Sequence, residues 1–243
     1  MAILELRDAT VRFGARPVLS AVSLAVEPRE RVALIGPNGG GKTTLLRALA
    51  GLLPLDAGEA LPIGDCSRRE AAHHVAYVPQ EEFWEFEFPV REVVACGRYS
   101  YTDTLTAERE AVDRALAAVA LEDLADRSIT ELSGGERRRV IVARALVQQT
   151  PALLMDEPTT ALDLRHRAAV LRAMRSFEGA ILFATHDLEA AARLADRIVV
   201  LHEGGIRTQG APADVLTEEL LRELFGVEAR LLRDDEGTLH VLL

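Results

Sequence analysis

Aromatic side chains are scarce in this sequence, at 5% of its 243 residues, although 49% of the chain is hydrophobic. A sizeable core is available, but Leu, Val and Ala must do most of the packing. Cysteine is scarcer still. Cys66 and Cys96 are the only two, neither lies in a Cys-x-x-Cys pattern, and they read as buried or free thiols in a reducing compartment. Positive charge is in deficit, with 28 Lys and Arg against 38 Asp and Glu and a net charge of −10. That argues against a nucleic-acid backbone as the main partner, while leaving room for a local basic patch. Long apolar runs are missing: Ile198 to Leu201 has the length of a strand, not of a membrane span. The opening MAILELRDATVRFG alternates like a strand and lacks a signal-peptide pattern, so the expected location is cytosolic. There is no internal repeat, low-complexity tract or linker. The length fits one large domain or a core with subdomains.

The pattern of what is present is α/β. Ile3, Leu4, Leu6, Val11, Phe13 and Val18 to Val26 alternate, with turn signals at Gly14 and Glu27 to Glu30, which predicts a small antiparallel sheet. Arg31 to Gly36, Pro151 to Pro158 and Ala180 to Asp187 read as buried parallel strands. Helices are expected from Lys42 to Ala50, through much of Arg91 to Ala125, and from Glu136 to Gln149. A hairpin turn is expected at Arg233 to Thr238. Buried strands alternating with helices predict a mostly parallel core sheet, with a helical insertion in one domain.

GPNGGGKTT, made of Gly36, Pro37, Asn38, Gly39, Gly40, Gly41, Lys42, Thr43 and Thr44, fits the P-loop pattern between a strand and a helix. Its glycines let the backbone wrap phosphates. Lys42 would place charge on the β and γ oxygens, and Thr43 offers a hydroxyl to Mg²⁺. No G-x-G-x-x-G occurs, which rules against a dinucleotide fold. Asp156 and Glu157 end the apolar stretch LLMDEP. One carboxylate can hold Mg²⁺ and its neighbour can orient or deprotonate a water, or the two are a plain acidic pair at a strand end. His186 ends the strand ILFAT and could reach a γ-phosphate, although a lone His is more often structural. Gln80 follows AYVP and could join a metal and water shell. LSGGERRRV opens a further helix through a capping box of Ser133 and Glu136. Gly134 and Gly135 leave its first N–H groups bare, which is half of a second anion site.

In their order and phrasing, GPNGGGKTT, Gln80, LSGGE, LLMDEP, the ALD of Ala161 to Asp163, and His186 resemble the nucleotide-binding subunits of ATP-binding-cassette (ABC) transporters. The resemblance runs over essentially the whole chain. It implies a P-loop NTPase (RecA-like) core, an N-terminal antiparallel subdomain, and a helical subdomain over about residues 90 to 150, all in one domain spanning the 243 residues. It implies ATP and Mg²⁺ as ligands and a head-to-tail dimer with a second copy. The signature residues Ser133, Gly134, Gly135 and Glu136 would then meet the ATP held by the partner's P-loop. Carried over by position, Glu157 would be the catalytic base and His186 the γ-phosphate contact. Thr43, Gln80 and Asp156 would form the metal shell, Asp163 would lie at the dimer interface, and Phe13 would stack on adenine unless it is simply core. Gly40 and Thr43 depart from the commoner GSGKS-type loop. Thr43 keeps the hydroxyl, and Gly40 adds flexibility.

Within that family, SRREAAHHVAYVPQ, FPVREVVACGRYSY, TALDLRHR and GAPADVLTEELLRELFGVEARLLRD resemble the ATPases of metal-chelate importers, which serve iron-siderophores, haem or cobalamin. This resemblance implies a peripheral position on the cytoplasmic face of the cell membrane. It also implies transmembrane permease subunits and, indirectly, a periplasmic or extracellular binding protein. The aromatic and acidic stretch Glu81 to Pro89 is the expected permease contact, or else a strand of core. His73 and His74 are expected to be solvated, since adjacent residues face different ways. The rival reading is a soluble cassette ATPase such as one of iron–sulfur cluster assembly, or an importer ATPase for free metal ions. A non-hydrolysing regulator is disfavoured by the presence of Lys42, Asp156, Glu157 and His186.

Overall fold

Alternating burial over Leu4 to Val11 sets the first strand of a computed structural model that describes residues 1–82, 84, 86–160, 162–233 and 239–242. Two compact units divide the chain: Met1–Asp65 with Ala180–Leu243, and Cys66–Gly179. In the first, β1 (Leu4–Phe13) pairs antiparallel with β2 (Arg16–Val26). The period slips at Asp8, whose φ of 46° makes a bulge. The buried run β3 (Arg31–Ile35) leads into α1 (Lys42–Leu49), and β4 (Ala57–Leu61) returns to the other edge of β1.

The second unit starts with α2 (Arg68–His74), whose Ser67 and Glu70 form a capping box, and then β5 (Val75–Val78). The region expected to be largely helical breaks into α3 (Val90–Ala95), α4 (Leu105–Ala118) and short 3₁₀ turns. The break has a packing cause. A Cβ on Gly97 would lie 2.3 Å from the Arg144 carbonyl oxygen, so the chain leaving α3 runs against α5 (Gly134–Leu146). Thr104 then restarts the chain as α4 by accepting from the Ala107 N–H. Helix α5 begins two residues before the expected start because Gly134 and Gly135 are its first turn. The fully buried β6 (Ala152–Asp156) runs parallel to β5, and α6 (Leu164–Ser176) closes the unit.

Back in the first unit, β7 (Ala180–Ala184) lies parallel to β3 and leads into α7 (Leu188–Leu194). Next, β8 (Arg197–His202) pairs parallel with the other edge of β3, and β9 (Gly205–Gly210) is antiparallel to β8. The chain ends through α8 (Pro212–Val215), α9 (Glu218–Phe225) and the hairpin β10 (Arg230–Arg233) with β11 (Leu239–Leu242). The turn expected at Arg233 to Thr238 lies, beyond Arg233, outside the described residues. The fold is therefore α/β, with mostly parallel core strands and an antiparallel β subdomain. Among the described residues, no helix is long and apolar enough to cross a membrane.

Among the described residues Phe183 is the largest fully buried side chain, next to the end of β7. Phe183→Ala should cost about 3–5 kcal/mol, read as a lower urea midpoint with little change in slope.

Candidate functional site

In the first unit, β3 ends at Ile35 and the phosphate loop follows. Gly36 cannot be replaced without moving the loop: its φ is 151°, and a Cβ there would sit 2.1 Å from the Leu201 carbonyl oxygen of β8. Gly41, with a φ of 99°, caps α1 in a conformation that side chains resist. Gly40 is tighter than the sequence suggests. A Cβ would lie 3.0 Å from the Pro37 carbonyl, so this glycine fits a narrow space and does not merely loosen the loop. Lys42 is 7% exposed, and its ammonium donates to the carbonyls of Gly36 at 2.8 Å and Pro37 at 3.1 Å. A positive charge is thus held inside the loop at a helix N-terminus, the arrangement that receives an anion. Thr43 and Thr44 stand half-buried on the first turn.

His186 belongs to the same unit. The parallel register pairs Leu34 with Ala184, so Gly36 and His186 leave adjacent strands at the same level. His186 is exposed, and Asp187 beside it caps α7 by accepting from the Ala190 N–H at 2.9 Å. Phe13 ends β1 with 57% of its surface exposed, so it is not a core residue.

In the second unit the register pairs Val78 with Met155, which levels Gln80 with Glu157. Asp156 is 1% exposed, and its buried Oδ2 has no hydrogen-bond partner among the described residues. A buried carboxylate oxygen without a donor is costly unless a cation or its water comes to it, so the residue fits Mg²⁺. Glu157 is 5% exposed and adopts a φ of 52°, which is uncommon outside glycine and gathers at functional sites. The Thr160 hydroxyl donates to its carboxylate. Gln80 is exposed.

The helix that follows Ser133, α5, begins as the Ser-x-x-Glu spacing requires. Ser133 accepts from the Glu136 N–H, and the Glu136 carboxylate accepts from the Ser133 N–H and hydroxyl, both at 2.8 Å. The hydroxyl and then the N–H hold the Glu136 carboxyl below its ordinary value. The two glycines have different jobs. A Cβ on Gly134 would meet nothing within 4 Å, whereas one on Gly135 would lie 2.6 Å from Nδ1 of His166. His166 in turn faces the Asp163 carboxylate at 3.2 Å, and Asp163 caps α6 through the His166 N–H at 2.8 Å. That N–H bond holds Asp163 below its ordinary value. Ala161 lies outside the described residues.

The described residues of Glu81 to Pro89 are not a strand of core; no regular element includes them, and Phe86 and Phe88 are 68% and 46% exposed. Glu82 forms a two-pronged pair with Arg144 at 2.7 and 2.6 Å, and that guanidinium lies 5.5 Å from the Trp84 ring. Trp84 Nε1 is buried without an acceptor among the described residues. Phe83 and Glu85 lie outside the described residues. His73 is exposed, as expected, but stacks edge-on to Tyr101 at 4.5 Å. Among the described residues, no cluster of three or more His, Cys, Asp or Glu could hold a metal. Two side chains escaped the sequence reading, Thr160 and Arg138. Arg138 is one of three consecutive arginines, and helical period alone could have turned it inward.

Gly36→Ala should weaken ATP binding by more than about 10-fold, since the loop must yield to admit the methyl, as titration with a fluorescent ATP analogue would show. Ser133→Ala should cost about 1 kcal/mol of stability at neutral pH. Folding lowers the Glu136 carboxyl, so the cap's contribution is complete above about pH 4.3 and is lost as pH falls through the lower folded value. The stability gap between wild type and Ser133→Ala, followed by urea unfolding, should therefore shrink on acidification.

Comparison with known proteins agrees with this geometry. The ABC transporter family profile matches residues 19–160. The cobalamin import ATP-binding protein BtuD of Halobacterium salinarum is 40% identical over 232 residues, covering 91% of this chain and 58% of that protein. The chain thus spans little more than half of that relative. The hemin import ATP-binding protein HmuV of Thermobifida fusca is 41% identical over 239 residues, covering 95% of this chain and 84% of that protein. A solved ABC transporter described as of metal-chelate type, in an inward-facing conformation, superposes with a TM-score of 0.82 at 26% identity, over 98% of this chain and 96% of its own. With its phosphate loop, acidic strand end and capped signature helix each in place, the chain belongs to the ABC transporter family.

Proposed function

We propose that this protein is the ATP-hydrolysing subunit of an importer for a metal chelate of the iron-siderophore, haem or cobalamin type. The observation that carries it is the pair at the end of β6. Asp156 keeps an unpartnered oxygen, and Glu157 is held in a left-handed backbone beside it. The relatives named for cobalamin and hemin import support the cargo class.

In this reading Lys42 exchanges the Gly36 and Pro37 carbonyls for phosphate oxygens, and the N–H groups of the first turn of α1 orient them. Mg²⁺ supplies charge neutralisation at the phosphates, with Thr43, Asp156 and Gln80 as the residues that would hold it or its waters. Glu157 takes a proton from the attacking water, and His186 donates to the γ-phosphate edge. Phe13, exposed at the end of β1, stacks on adenine. Ser133, Gly134, Gly135 and Glu136 present their helix N-terminus to the ATP of a second copy, with Asp163 at the same interface. ATP therefore adds contacts available only in the closed dimer, and hydrolysis removes them. Trp84, Phe86 and Phe88 face a permease subunit. The subunit sits peripherally on the cytoplasmic face, and an external binding protein acts on it only through the permease.

The test is a pull-down from detergent-solubilised membranes with Glu157→Gln protein and ATP, with bound proteins identified by mass. This variant should retain ATP, lose nearly all turnover and elute as a dimer on sizing. A polytopic membrane partner is the expected catch. A soluble partner alone would shift the function to the cluster-assembly type, and a monomer with ATP bound would remove the closed dimer.

A further inference from the structure

Arg138 is 7% exposed, and among the described residues its guanidinium hydrogen-bonds only to backbone carbonyls. Nη1 donates to Pro79 and, at 3.0 Å, to Gln80. Nη2 donates to Asp156 at 2.6 Å and Glu157 at 2.9 Å. Nε donates to Pro158 at 3.3 Å. An arginine side chain has five N–H donors in a rigid fork, and here each has an acceptor. Burial pushes the guanidinium down from its ordinary value, and the Asp156 and Glu157 carboxylates pull the other way. An arginine remains charged under such a shift.

The acceptors are not arbitrary. Asp156, Glu157 and Pro158 are consecutive, and the middle one is the residue with a φ of 52°. A strained backbone persists only where its surroundings over-determine it. Arg138 bonds the carbonyl of Glu157 itself and the carbonyls on either side. The same fork holds Pro79 and Gln80, the two residues just before the aromatic stretch. Arg138 lies about one and a half turns along α5 from Ser133, in the same rigid helix.

We infer that Arg138 is a positioning residue for hydrolysis. It fixes the backbone that aims Glu157, and it makes that backbone, the Gln80 segment and the signature helix move as one body. A displacement at either end, a nucleotide meeting Ser133 or a partner meeting Trp84, then reaches Glu157 through one guanidinium. This rests on the reading of Glu157 as the base.

Two variants of the full chain test it. Arg138→Gln keeps two N–H donors and Arg138→Lys three, neither in a planar five-donor fork. Affinity for an ATP analogue should stay within about 3-fold of wild type, because the phosphate loop is untouched, while kcat falls about 10- to 100-fold in Gln and less in Lys. Amide hydrogen exchange should accelerate together at residues 79–82 and 156–160 in both variants. A purely structural role would lower the melting temperature and leave kcat per folded molecule unchanged. Should Arg138→Gln fail to fold, Arg138→Lys carries the test. Turnover within about 2-fold of wild type in the folded variants, or faster exchange in only one of the two segments, would overturn the inference. The exchange readout stands apart from the function: a wild type without ATPase activity, or a Glu157→Gln protein that turns over normally, defeats the reading of Glu157 and leaves the coupling of the two segments still measured.

Discussion

Parallel register governs where chemistry can occur in this protein. Leu34 opposite Ala184 places the phosphate loop and His186 at one level, and Val78 opposite Met155 places Gln80 beside Glu157. Neither alignment is a choice of the polar residues. Apart from Arg31 at the start of one and Asp156 at the end of the other, the strands Arg31–Ile35 and Ala152–Asp156 are apolar, and a slip in either pair would misalign every group at its carboxyl end. The functional side chains are therefore carried on an apolar ruler that they did nothing to build.

The scarcity of aromatics takes on meaning beside this. Among the described residues, Phe183 is the one aromatic in the fully buried core, which is otherwise aliphatic. Phe13, Phe86, Phe88 and Tyr99 are all exposed. An interior of Leu, Val and Ala leaves the rings free for surfaces, where a flat apolar face with a polar edge gains most from contact.

Much of the site was legible from local pattern, because local pattern is what forms it. A glycine-rich turn between strand and helix, carboxylates ending an apolar run, and Ser-x-x-Glu before a helix each specify their own geometry. The contacts that tie these pieces together were not legible. Arg137, Arg138 and Arg139 look alike in sequence, yet Arg138 reaches the strand ends while Arg139 reaches the Val119 and Ala120 carbonyls. Gly135 looked like a second bare amide, but its missing side chain makes room for His166. Such facts depend on which backbone lies opposite, and nothing within a few residues encodes that. The same holds for Glu81 to Pro89, whose mixed aromatics and acids suit a strand or a loop until Glu82 and Arg144 pair across the unit.

Lys42 resting on two carbonyls has a corollary for binding. An anion that takes the ammonium must displace those carbonyls or share it with them, so the charge passes from one set of acceptors to another and is never left bare.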